Sequence, residues 1–170
     1  MAFGLRLLTC ALMAIGVVRP VLAQAGGHPP ASSDDSGFAN LQARGKIGMG
    51  VDQSTSRHRF DDLPDGGRIE LQVDPADTAG VRAIRDHLRG IAQAFAAGDF
   101  RTPGFVHAGE VPGTAEMAAR RTHLRYRFGA LPGGGEVRIT TQDPAALRAV
   151  HTFLAFQRSA HHAAGTSMHH

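Results

Sequence analysis

Two stretches of this chain alternate apolar and polar residues in the same way, and each runs into a stripe of apolar residues at helical spacing. In the first, Ile69, Leu71 and Val73 alternate with Arg68, Glu70 and Gln72, after Phe60 and the turn Leu63-Pro64-Asp65-Gly66-Gly67. In the second, Leu124, Tyr126 and Phe128 alternate with Arg125 and Arg127, and Val137 and Ile139 follow the turn Leu131-Pro132-Gly133-Gly134-Gly135. Period-two alternation about a glycine-rich connection predicts a β-hairpin with one buried face. Asp74-Pro75 and Asp143-Pro144 then predict helix starts, since a carboxylate accepts from the free N–H groups of a first turn and proline has no N–H to leave unpaired there. Val81, Ile84, Leu88, Ile91 and Phe95 form the stripe of the first helix, closed by Gly98, while Leu147, Val150, Leu154, Gln157 and His161 form that of the second.

The two stretches are copies of one unit. Phe60, Leu63, Pro64, Gly66, Gly67, Asp74 and Pro75 find counterparts in Phe128, Leu131, Pro132, Gly134, Gly135, Asp143 and Pro144. A tandem ββα unit predicts an α+β fold, a two-layer sandwich with a four-stranded antiparallel sheet and two helices on one face. The expected organisation is repeat one over about 55–98, a connector over 99–121 and repeat two over about 122–162, within a single domain spanning 46–162. In the connector, Pro103, Gly104, Pro112 and Gly113 predict loops around Phe105-Val106-His107, then a short helix from Thr114 to Arg120.

The first 25 residues, with Arg6, an apolar run from Leu7 to Val18 and small residues at Ala23 and Ala25, read as an export signal. That run is shorter than the roughly 20 residues that span a bilayer, so no transmembrane anchor is expected after cleavage. The expected location is periplasmic or secreted. Cys10 leaves with the signal, so the mature protein has neither disulfides nor thiolate ligands. Residues 26–45 are rich in Gly, Pro, Ser and Asp and read as a flexible leader; 163–170 read as a disordered histidine-containing tail. A formal charge of +3 and a pI near 10.0 suit attraction to anions, with no nucleic-acid partner expected.

Histidines stand where apolar residues are expected. His58 lies two residues before Phe60 and so points inward, where the other copy has Tyr126, and His161 occupies the stripe position of Phe95. A buried imidazole needs a hydrogen-bond or metal partner, because an unsatisfied polar group costs about 1–3 kcal/mol. His107 in the connector and Met49 before the first strand are positioned to join them. Imidazole with thioether suits copper and imidazole with carboxylate suits zinc, so the leading reading is a small binding or accessory protein holding copper or zinc through His58, His107, His161 and Met49. The bland alternative is satisfied core histidines.

A second group lies on the opposite sheet face. Arg57, Arg59, Arg125, Arg127 and Arg138 alternate with buried positions and predict a basic plate, joined at its edge by Arg120 and Arg121 and partly neutralised by Glu70 and Glu136. Guanidinium pairs carboxylate and phosphate through two parallel hydrogen bonds, so the alternative reading is an interaction module for an anionic envelope polymer, a lipid head group or an acidic protein. Asp61, Asp62 and Asp65 crowd the first turn, where calcium is conceivable, although Pro64 and the missing Glu exclude an EF-hand loop. No nucleophile elbow, phosphate loop, H-E-x-x-H or dinucleotide fingerprint occurs, which leaves an enzyme with an unfamiliar site as a third reading and no catalytic residue to name.

Met49-Gly50-Val51-Asp52-Gln53, Ser56-Arg57-His58-Arg59-Phe60, Asp74-Pro75-Ala76-Asp77, Ile84-Arg85-Asp86-His87-Leu88, Phe105-Val106-His107 and His151-Thr152-Phe153-Leu154 together resemble a family of small exported bacterial proteins of unknown function. The resemblance covers nearly all of the mature domain and implies a shared domain. Some members carry an aspartate carbamoyltransferase label; this chain lacks the S-T-R-T type phosphate motif, and that activity is not carried over.

Overall fold

The computed structural model describes residues 33–50, 52 and 55–168, with the backbone alone at 33–35 and Met49. The segment expected to be an export signal, residues 26–32 of the leader, residues 51, 53 and 54, and His169 and His170 lie outside the described residues. The order is α1 (Ser33–Met49), β1 (Arg57–Leu63), β2 (Gly66–Gln72), α2 (Thr78–Ala96), α3 (Arg101–His107), α4 (Thr114–Ala119), a 3-10 turn at Arg121–His123, β3 (Arg125–Leu131), β4 (Gly134–Thr140) and α5 (Pro144–Ala160). The strands form one antiparallel sheet in the order β1-β2-β4-β3, so the α+β sandwich is present as the alternation predicts.

The repeats meet through their second strands about a pseudo-two-fold axis. Ile69 faces its own counterpart Val137, so Arg68 faces Arg138 and Glu70 faces Glu136. Like charges directly opposite repel, and the diagonals relieve this: Arg68 reaches Glu136 at 3.7 Å and Glu70 at 3.9 Å. Glycine at the start of both β2 and β4 permits the close approach, because a Cβ on Gly66 would run into the Ile139 carbonyl, and one on Gly134 into that of Leu71.

Because β2 and β4 are central, each helix leaves its own hairpin and lies on the other. α2 packs mainly on β4 and β3, and α5 on β1 and β2. Each also caps the turn it covers. Arg85 of α2 donates to the carbonyls of Leu131 and Gly134, at 2.7 and 2.9 Å, and His151 of α5 meets those of Leu63 and Gly66 through Nε2, at 3.0 and 2.9 Å. The core between the layers holds Ile84, Leu88, Phe95, Val137, Ile139, Val150 and Leu154, all buried.

Several expectations need correction. α2 starts at Thr78 rather than after Asp74: Asp74 holds a preceding turn by accepting from Ala76 N, and Asp77 caps the helix by accepting from Gly80 N. In the second copy Asp143 does cap α5 at Pro144. The connector around Phe105-Val106-His107 is helix α3, since Pro103 falls in its first turn where no intrahelical N–H is required. The leader from Ser33 onward is helical, with Leu41 and Gly45 buried and Arg44 Nε donating to the Val106 carbonyl at 2.7 Å. Residues 163–168 are likewise placed. They run beside β1, where Phe60 N and Asp62 N donate to the carbonyls of Ala164 and Thr166, at 2.9 and 2.8 Å. Among the described residues no helix is long and apolar enough to cross a membrane.

Candidate functional site

Alternation on β1 turns His58 inward beside Phe60, with the ring centroids 6.5 Å apart. α5 ends at His161, whose backbone N–H closes onto the Gln157 carbonyl and whose ring stacks on Phe60 at 5.9 Å. α3 ends at His107, after which Ala108 turns the chain in the left-handed region. These three ends meet: the His161 ring stands edge-on to His58 at 5.6 Å and to His107 at 5.0 Å. The sequence-predicted trio is therefore brought together from three elements. Of Met49 only the backbone is described, at the end of α1.

The three rings wall a cavity with about 80 Å³ of space for water-sized occupants, apolar at its floor through Phe60, Leu71, Leu88, Ile91, Phe95 and Phe153. A single water needs roughly 10–15 Å³, so several waters or a hydrated ion fit. Three further polar side chains line it, His87, Thr102 and Gln157. His87 of α2 faces the same space, and Gln157, one helical turn before His161, meets His107 Nε2 through Oε1 at 3.2 Å. Gln157 is 4% exposed and its Nε2 is buried without a hydrogen-bond partner. A signal for His87 existed, since it sits three residues after Ile84 and four before Ile91, on the border of the buried stripe.

Burial keeps these imidazoles neutral. It pushes His58 down to about 4, with His87 adding a smaller push, and His161 down to about 3, helped by His58, His107 and His162. His87 and His107 are also lowered by burial, against the opposing pull of the Gly48 carbonyl and of Gln157 respectively. Neutral imidazole is the metal-ligating form. Imidazoles around one tetrahedral zinc, with Zn–N near 2.0–2.1 Å, hold their ring centroids roughly 5 Å apart, a spacing that His161 keeps to His58 and to His107. As the rings stand, however, no three His, Cys, Asp or Glu side chains among the described residues surround a common point.

The arginine face has a different character. Along one row of the outer face Asp61, Arg68, Arg138 and Arg127 lie side by side across β1, β2, β4 and β3, and along the next lie Arg59, Glu70, Glu136 and Gly129. Arg59 pairs with Asp61 at 2.9 Å, and Arg138 is held by Asp65 and the Gly67 carbonyl. Arg57, Arg125 and Arg127 are exposed and make none of the ion pairs found among the described residues. Arg120 is engaged by Glu116 and Asp143. The plate is therefore a mixed-charge surface with free guanidinium groups at its two edges.

The acidic turn is not a cation site. Asp61, 1% exposed, accepts from Arg59, Arg68 and Thr166; Asp62 accepts from Arg158 and Met168 N; and Asp65 pairs with Arg138. Each carboxylate already has a guanidinium, and two of them fasten the C-terminal segment. No protein-family model, curated protein or solved structure matches this chain.

Proposed function

We propose that this chain is an exported binding or accessory protein that takes up a transition-metal ion, copper or zinc, among His58, His107 and His161. The observation that supports this reading is the meeting of three neutral imidazoles, from β1, α3 and α5, at the polar end of an otherwise apolar cavity. Binding turns the rings so that their nitrogens face one point, within space the cavity already leaves. Gln157 holds one nitrogen of His107, which leaves the other for the ion.

The test uses the full chain carrying His28→Ala, His169→Ala and His170→Ala, which removes the imidazoles that lie outside the described residues. Calorimetric titration is expected to give one equivalent of Cu²⁺ or Zn²⁺ bound at micromolar or lower concentration. His58→Ala with His161→Ala is expected to abolish that binding. Binding that survives this double substitution, or is absent from the parent, removes the metal reading.

The exposed Arg57, Arg125 and Arg127 favour a second reading, an interaction face for an anionic polymer, lipid head group or acidic protein. Charge contacts of this kind weaken with salt. Retention on a polyanionic matrix is expected to fall steeply between low and physiological ionic strength, and to fall further in Arg125→Ala with Arg127→Ala. Retention indifferent to salt or to that substitution excludes this reading.

A further inference from the structure

The second helical stripe carries a polar side chain at a place that the first repeat fills with an apolar one. Gln157 stands where Ile91 stands in the first copy, and both line the cavity below the three imidazoles. Its Oε1 accepts from His107 Nε2 at 3.2 Å, which fixes the orientation of the carboxamide, while its own Nε2 is buried with no hydrogen-bond partner. A buried donor left unsatisfied destabilises the fold, and Ile91 shows that an apolar side chain suits this place in the stripe.

Around that amide the cavity is apolar, floored by Phe60, Leu71, Ile91, Phe95 and Phe153, and among the described residues no Asp, Glu, Lys or Arg lines it. His58, His107 and His161 are only half-buried, so the imidazole end reaches solvent. An apolar wall with an unpaired donor and no charge is the chemistry of a site for a small neutral molecule. The space is about 80 Å³. Because benzene is held in apolar cavities of roughly 150 Å³, an occupant here has roughly four to six non-hydrogen atoms.

We infer that this cavity binds a small neutral carbonyl compound, whose oxygen accepts from Gln157 Nε2 and whose hydrocarbon part lies against Phe95 and Phe153. A carbonyl oxygen accepts without bringing a donor of its own into apolar surroundings, and a carboxylate would bring a charge that nothing in the lining matches. The inference goes beyond the metal reading and does not depend on it, since His107 uses Oε1 of Gln157 and the carbonyl compound uses Nε2.

The test uses the full chain with a metal chelator present, so its outcome is separate from that of the metal titration. Cyclopentanone is the probe, and cyclopentane is its counterpart of like shape without the oxygen. Cyclopentanone is expected to saturate the protein at millimolar concentration and to move the Gln157 side-chain amide signal in nitrogen–proton NMR spectra. Cyclopentane is expected to bind roughly tenfold more weakly, the factor that one hydrogen bond to a buried donor supplies. Gln157→Leu is expected to unfold at the parent's temperature or above and to lower the affinity for cyclopentanone to that for cyclopentane. Equal binding of the two probes by the parent, no saturable binding of cyclopentanone, or undiminished binding in Gln157→Leu overturns the inference. The two probes compared on the parent decide it even where the variant does not fold.

Discussion

The metal-free protein is expected to lose much of its stability between pH 6.5 and about 4. The sign follows from where each state takes up protons. In the unfolded chain His58 and His161 protonate near 6.5, whereas in the folded protein they resist until about 4 and about 3. Between those values the unfolded chain binds more protons, so acid favours it. The stability is complete above about 6.5, falls through this window and levels off once the folded rings are charged as well. At about 1.4 kcal/mol for each pKa unit, and because part of the His161 shift is repulsion from His58, His107 and His162 rather than burial, the combined loss is on the order of several kcal/mol. Urea unfolding at pH 7.5, 6, 5 and 4 measures it. The double variant His58→Gln, His161→Gln is expected to flatten the curve over that range; a parent already flat there means the imidazoles are less enclosed than their surroundings imply.

The other large effect belongs to Asp61. Burial opposes ionisation of its carboxyl, but hydrogen bonds from Arg59, Arg68 and Thr166 outweigh it and hold the group well below the usual carboxylate range. Arg68 reaches it at 2.6 Å and Arg59 at 2.9 Å, while Oδ1 accepts from the backbone and hydroxyl of Thr166 at 2.9 and 2.8 Å. Removing the carboxylate leaves the Thr166 donors without an acceptor, while Arg59 and Arg68, 44% and 32% exposed, turn to water, so the cost is about 1–3 kcal/mol. Asp61→Ala is expected to cost that much and to free the C-terminal segment from β1, read as faster proteolysis after residue 162 and faster amide exchange at Phe60 and Asp62. A variant as stable and as resistant as the parent contradicts this role. The contribution of Asp61 is present above the ordinary carboxylate pKa near 3.8 and lost below it, so its pH window lies on the acid side of the histidine window.

The repeat made most of the sheet legible in the sequence. Alternation at Ile69, Leu71, Val137 and Ile139 fixed which face was buried, and the paired Leu-Pro and Gly-Gly turns fixed the hairpins. The crossing of each helix onto the opposite hairpin was not legible, because Arg85 and His151 reveal their carbonyl partners only when the two halves are superposed about Ile69 and Val137. α1 escaped notice for a physical reason: its apolar residues do not share one face, and its buried positions are few, Leu41 and Gly45 among them. The C-terminal segment escaped because its order comes from two aspartates a hundred residues earlier rather than from its own composition.

For the site, the inward positions of His58 and His161 followed from pattern alone, and the approach of His107 followed from neither spacing nor motif. His87 carried only the weak signal of its place at the border of the stripe, since between Asp86 and Leu88 on a helix rich in arginine an imidazole also fits the solvated flank. On the arginine face the sequence named the charges, Glu70 and Glu136 among them, but not which of them stand opposite one another. The register that lines up Arg68 with Arg138 also lines up Glu70 with Glu136, and only strand pairing reveals that.

The exchanged helices bear on how the chain matures. Neither half can bury its own hairpin, since the cover for Phe60, Ile69 and Leu71 arrives with α5 and residues 144–160. During synthesis the first hairpin and α2 emerge with their apolar faces open, and they stay so until α5 (Pro144–Ala160) has left the ribosome. Native closure is therefore a late, long-range event. The first hairpin waits about seventy residues, from Gln72 to Pro144, before its cover begins to appear.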